Sequence, residues 1–346
     1  MKLNDVVTKV YAFLNRISQN KLFKNQTNQT NATEATQESE SAQASSAAKP
    51  ATQAKPTKKP KSKLRRTIEP IILALAAILC FTYPVASTLW NNNLSKEISA
   101  AYDRMSKELP KDARIVNLEK AREYNAQRSA IFTADPYNGS DDYKNTPEYK
   151  KYESVLDEPM GIMGIVKIPK IGVKLPIYHG SSQEVLAQGA GHLYGTDLPV
   201  GGKTRHSVVT AHTGLPHATM FDDLIYLKKG DYFYFDIQGE TLRYRVFRIN
   251  VVEPNDISML QREKGRDLAT LLTCTPYGVN TQRLLVTGYR VLPDPVSAPG
   301  DKLQWPLWMT MFVLALIGCF VILATMIIAA VRMHRKNIAP HGRHLN

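Results

Sequence analysis

Two apolar stretches constrain this 346-residue chain more than anything else in it. The first, Ile71–Trp90, reads "IILALAAILCFTYPVASTLW", and the second, Trp305–Val331, reads "WPLWMTMFVLALIGCFVILATMIIAAV". A helix needs about 20 apolar residues to cross a bilayer, and both stretches reach that length. Trp90, Trp305 and Trp308 sit at the ends that face the intervening segment, where amphipathic rings favour the membrane interface. The first stretch is longer than the apolar core of a signal peptide and lies well into the chain, so it reads as an anchor.

Charge then sets an orientation. "KPTKKPKSKLRR" (Lys55–Arg66) precedes the first stretch and "RMHRK" (Arg332–Lys336) follows the second. Basic flanks stay on the cytoplasmic side, so both termini are expected inside and the middle outside. Of the chain's net charge of +13, residues 91–304 carry only +1, from 27 Lys and Arg against 26 Asp and Glu. The basic balance therefore reports topology and contact with a lipid bilayer, and it does not argue for nucleic acid. Residues 25–66, rich in Asn, Gln, Thr, Ser, Ala, Lys and Pro, read as a low-complexity tail.

The exported part divides by pattern. Residues 93–130 carry apolar positions at three-to-four spacing and predict helix. A polar stretch with Gly, Pro and clustered Asp follows and suggests a long exposed loop. From Gly161 onward short β-type runs take over: "GIVKIPKIGVKLPIY", "HSVVTAHTG", "ATLLTCTP" and "RLLVTGYRVL". "DYFYFDIQGETLRYRVFRINVVEP" reads as a hairpin turning at Gln-Gly. About eight strands in so short a segment predict a closed or nearly closed barrel, with a sandwich as the alternative.

Cys80 and Cys319 fall inside the apolar stretches, leaving Cys274 as the one cysteine between them. A single thiol in an oxidising compartment is a candidate reactive group, although a free cysteine is also often plain core filler. Of His179, His192, His206, His212 and His217, His212 is best placed for chemistry, at the end of an apolar strand in "VVTAHTGLP". Arg283 cannot exchange protons, but it can bind a carbonyl oxygen as that oxygen becomes negative. A tyrosine-phosphatase loop is excluded, because "CTPYGVNTQR" puts eight residues between Cys and Arg, a proline among them. Nothing in the sequence resembles a metal-ligand cluster, and no cofactor is expected.

"TLLTCTPYGVNTQRLLVTGYR" resembles the active-site strand pair of sortases, the Gram-positive cysteine transpeptidases. The likeness extends through "GAGHLYGTDLPVGGKTRHSVVTAHTGLPHATMFDDLIYLKKGDYF" and covers roughly Gly161–Leu292. It implies an eight-stranded sortase-type β-barrel, with Cys274 as nucleophile, His212 as its acid/base partner and Arg283 as oxyanion stabiliser. Two spans, an N-terminal helical part and the triplet Asp135-Pro136-Tyr137 resemble class C, the pilin-polymerising sortases. By that resemblance Asp135 and Tyr137 belong to a lid over the cysteine. Thr213 stands where class C often has Arg, and Gln282 where it often has His.

The resulting organisation is a cytoplasmic tail over 1–66, a span over 67–90 and an exported helical segment over 91–130. A lid loop over 131–159 and a catalytic barrel over 160–293 come next. A linker over 294–304, a second span over 305–331 and a basic tail over 332–346 complete it. The implied reaction cleaves an LPxTG-like sorting signal and passes the acyl group to an amine. For class C the partners are pilin or surface proteins and an acceptor lysine; for a housekeeping sortase the acceptor is a cell-wall precursor. A non-catalytic membrane-tethered binding domain is the remaining alternative.

Overall fold

Eight strands close into a barrel at the centre of the molecule: β1 (Ile162–Ile168), β2 (Val173–His179), β3 (Ala190–His192), β4 (Arg205–Thr210), β5 (Tyr232–Ile237), β6 (Glu240–Val252), β7 (Asp267–Thr275) and β8 (Gln282–Arg290). Their order around the barrel is β1-β2-β3-β4-β7-β8-β6-β5, and pairing of β1 with β5 completes the circle. That pairing decides between barrel and sandwich. The β2–β3 and β4–β7 pairs are parallel and the others antiparallel. The computed structural model describes residues 63–128, 142–300 and 305–338. The N-terminal tail, Asp135 and Tyr137, and the chain beyond Ile338 lie outside those residues.

Local sequence explains much of the barrel. Gln238 and Gly239 both take positive φ, +50° and +77°, as the tight turn between β5 and β6 requires. Phe233, Phe235 and Tyr244 from that hairpin fill the interior, with the Phe233 and Tyr244 rings stacked at 5.5 Å. Gly288 on β8 makes room for them, since a Cβ there would lie 2.7 Å from the Phe233 ring. Burying each such side chain contributes about 1.5–3 kcal/mol. β1 does not alternate between buried and exposed, because a helix covers its outer face.

That helix is α1 (Lys63–Glu108), 46 residues long, which runs from the first apolar stretch past Trp90 and on along the barrel. The apolar pattern stops near residue 90 but the helix does not. Ile98 and Tyr102 pack on Ile162 and Ile165 of β1, and Asp103 pairs with Lys167 and Lys174 at 3.0 and 3.3 Å. After Pro110 the chain restarts as α2 (Lys111–Gln127), which buries Leu118, Ala121, Tyr124 and Asn125.

Within the segment expected as loop, the described residues hold α3 (Pro147–Glu153), capped by Thr146 Oγ1, which accepts the Tyr149 N–H at 3.2 Å. Its Glu and Lys residues mask a buried pair, Tyr149 and Tyr152, three apart on one face. A short α4 (Gln183–Gln188) joins β2 to β3. Last comes α5 (Leu307–Ile338), which meets α1 where Phe81 and Phe312 pack edge to face at 5.7 Å. Both α1 and α5 are long and apolar enough to cross a membrane. They leave Leu73, Leu79, Leu314 and Phe320 exposed, a surface better suited to lipid than to water.

Candidate active site

Parallel pairing of β4 with β7 carries two distant parts of the chain to one end of the barrel. The register runs from Arg205 opposite Asp267 to Thr210 opposite Leu272. Two residues beyond that last pair lie His212 on one strand and Cys274 on the other. The Ala211 N–H donates to the Leu272 carbonyl at 3.2 Å, and Thr273 Oγ1 donates back to the Ala211 carbonyl at 2.8 Å. On its other side β7 is antiparallel to β8, and there Cys274 stands directly opposite Arg283. The three residues singled out in the sequence thus occupy the same end of three consecutive strands.

Each is held by its own surroundings. Cys274 is 7% exposed and Arg283 4%. Arg283 donates through Nη1 to the carbonyls of Asn280 and Gln282, both at 3.0 Å, which fixes the guanidinium at the β7–β8 turn. The His212 carbonyl accepts the Phe221 N–H at 3.0 Å, and two residues on the Gly214 N–H donates to Asp222 Oδ1 at 2.8 Å. Gly214 has φ +80°, a conformation costly to other residues, and faces Gly278 of the β7–β8 turn. The two loops therefore meet over the strand ends.

The electrostatics of this end are unusual. Burial holds His212 below the usual histidine range, and the neighbouring His217 charge pushes the same way. Asp222 is raised to about 7 by burial, with Asp223 adding to the shift against the hydrogen bonds from Gly214 and Thr213. Among the described residues, Asp222 Oδ2 is buried with no hydrogen-bond partner. Burial and both carboxylates also raise the Tyr277 phenol. Titratable groups perturbed in this way cluster where chemistry is done.

Comparison with known proteins identifies the barrel. The sortase domain family matches residues 166–291, the barrel with its three strand ends. Sortase C-1 from Streptococcus pneumoniae is 42% identical over 56% of this chain and 98% of its own, with a TM-score of 0.52. The chain belongs to the sortase family. The pilus-related sortase C of Group B Streptococcus is 44% identical over 55% of this chain and 95% of its own, with a TM-score of 0.50. Sortase A from Corynebacterium diphtheriae is 42% identical over 59% and 97%, with a TM-score of 0.52. Among characterised sequences, sortase D of Bacillus subtilis is 24% identical over 51% of this chain and 88% of its own. Sortase A of Staphylococcus aureus is 29% identical, and the chain spans 58% of its length. With class C enzymes among these relatives the sortase falls in class C, and like them it is a cysteine transpeptidase.

Three other histidines of this sortase are structural. His192 bonds Tyr152 Oη at 2.9 Å and the Asp197 carbonyl at 2.8 Å, and burial pushes its pKa down to about 3. His206 bonds the Gln261 carbonyl and Thr270 Oγ1. His179 packs edge-on against Tyr152 and is likewise lowered by burial. Sequence reasoning missed Asp222, although its position next to Asp223 just after an aromatic was visible in "MFDDL". Among the described residues, no group of three or more His, Cys, Asp or Glu is placed to hold a metal ion.

Proposed function

We propose that this sortase cleaves an LPxTG-like sorting signal between Thr and Gly and transfers the acyl group to a lysine amine of a pilin subunit. The observation that carries the reading is the meeting of His212, Cys274 and Arg283 at the ends of β4, β7 and β8. The Cys274 thiolate attacks the threonine carbonyl carbon, and the oxygen takes the electron pair beside the Arg283 guanidinium. As the intermediate collapses, the C–N bond breaks and a protonated His212 gives its proton to the departing glycine amine. A thioester remains. The acceptor amine then attacks it, now-neutral His212 takes the amine's proton, and the thiolate leaves.

A lowered His212 pKa makes the protonated form that the leaving amine needs scarcer at neutral pH than for an ordinary histidine. Asp135 and Tyr137 act as a lid over the cysteine. Both termini are cytoplasmic, α1 and α5 span the plasma membrane of a Gram-positive bacterium, and the barrel stands outside. The alternative acceptor is a cell-wall precursor, as for a housekeeping sortase.

The test is intact mass spectrometry of the full chain in detergent, carrying Asp135→Ala and Tyr137→Ala, incubated with an LPxTG-type peptide. A hydroxylamine-sensitive adduct lacking the glycine portion is expected, and it should vanish in Cys274→Ala. Competition between a lysine-bearing pilin peptide and an oligoglycine amine separates the two readings. Absence of any adduct across several motif variants sinks both.

A further inference from the structure

Three consecutive asparagines, Asn91-Asn92-Asn93, follow directly on Trp90 inside α1. Asparagine is a poor helix former, because its amide competes for backbone groups, so three in a row weaken the helix where it leaves the apolar stretch. The structure shows what two of them do. Asn91 Nδ2 donates to the His217 carbonyl at 2.8 Å. Asn92 grips Thr219 twice: its Oδ1 accepts the Thr219 N–H at 3.1 Å, and its Nδ2 donates to Thr219 Oγ1 at 2.5 Å. Asn93 takes no part, and bonds the exposed Glu97 on its own helix.

The residues gripped belong to the loop that carries His212. Thr219 is fully buried between buried Ala218 and Met220. Its carbonyl accepts the Asp222 N–H at 2.8 Å, while the Phe221 N–H holds the His212 carbonyl and Asp222 Oδ1 holds the Gly214 N–H. A short chain of hydrogen bonds therefore runs from the membrane-side part of α1 to the backbone at His212 and Gly214. The barrel does not need this grip to stay on the helix. Tyr102 Oη donates to the Met163 carbonyl and accepts the Gln238 N–H, and Asp103 pairs with Lys167 and Lys174, about 17 Å further along at the helical rise.

We propose that Asn91 and Asn92 are positioning residues for His212, so that the membrane helix, through residues 217–219, sets where the imidazole stands relative to Cys274. The inference rests on His212 being the acid/base partner of Cys274. Displacements of about 1 Å from the productive geometry cost up to about a hundredfold in rate.

The experiment uses the full chain in detergent, with Asn92→Ala, Asn91→Ala, Asn93→Ala, Asn92→Asp and His212→Ala. Two quantities are read: kcat and KM with a sorting-signal peptide, and the pH profile of iodoacetamide labelling at Cys274. Peptide-level mass spectrometry separates Cys274 from Cys80 and Cys319. Asn92→Ala is expected to lower kcat about ten- to hundredfold with KM little changed, and to move the labelling profile toward that of His212→Ala. Asn93→Ala should match the unmodified chain. Asn92→Asp, which keeps the acceptor for the Thr219 N–H, should restore part of the loss. Should Asn92→Ala fail to fold, Asn91→Ala carries the same expectation in weaker form. An Asn92→Ala chain indistinguishable from the parent, or an Asn93→Ala chain equally impaired, overturns the inference while leaving the reading of the pair intact. A labelling profile unmoved by His212→Ala overturns that reading and the inference together.

Discussion

The two ends of β4 place buried acids in opposite circumstances. At its start, Asp197 is saturated: Arg262 donates to both carboxylate oxygens at 2.5 and 2.8 Å, the His206 N–H adds a third bond at 2.9 Å, and Arg205 lies 3.5 Å away. The same arginines reach the carbonyl of Asn125, whose amide bonds both the N–H and the carbonyl of Leu198. At the other end, Asp222 has one strong backbone donor and, among the described residues, an oxygen without a partner and no ion pair. Most groups buried for stability are paired, because an unmatched polar atom costs about 1–3 kcal/mol. The His212 end tolerates such a cost, as a site does when its groups must meet a substrate.

Four measurements would break or sharpen that contrast. Asp197→Ala leaves two arginines facing a hole and is expected to cost about 3–5 kcal/mol of stability, read by denaturant melts, with activity per folded molecule retained. Equal losses of activity and stability would erase the distinction between the ends. Arg283→Ala should leave the melt nearly unchanged and lower kcat about 10²- to 10³-fold. Lysine in its place should not restore the rate, since one ammonium cannot both bond two carbonyls and present a planar fork to an oxyanion.

Asp222→Asn should act on stability in a pH-dependent way. The folded carboxyl is raised to about 7 while an unfolded one titrates near 4. Stability contributed by the protonated form is full below about 4 and is lost as pH rises to about 7. The variant, with nothing to ionise, should therefore gain melting temperature relative to the parent across that window. A constant offset from pH 4 to 8 would show that the carboxyl is not buried in the way described. The smallest effect is expected of His217→Ala. Removing the nearby charge should move the His212-dependent limb of the pH–rate profile upward, while burial, the larger cause, still holds it low.

Much of the barrel was legible because its signals are local. Alternating aromatics and a Gln-Gly pair announce the β5–β6 hairpin, and an apolar run ending in "TCTP" announces β7. Cys274, His212 and Arg283 stood out by chemistry and by likeness to a family motif. What stayed hidden depends on contacts across the sequence. Asn92 and Thr219 are 127 residues apart, and nothing in either neighbourhood announces the other. α3 was masked by its charged face, since Tyr149 and Tyr152 look like loop aromatics until α2 and β3 are seen to cover them. That Asp222 Oδ2 lacks a partner among the described residues depends on how its surroundings pack, so no reading of "MFDDL" could supply it.

The unbroken course of α1 from its apolar part to the barrel has a mechanical consequence. A flexible tether would let the barrel swing and explore a range of depths, whereas a continuous helix is a stiff post. From Trp90 to Glu108 it rises about 27 Å, and the barrel is fastened along that length at two levels. The mouth beside His212 thus keeps one position and one tilt relative to that helix, and load applied to the barrel passes into it.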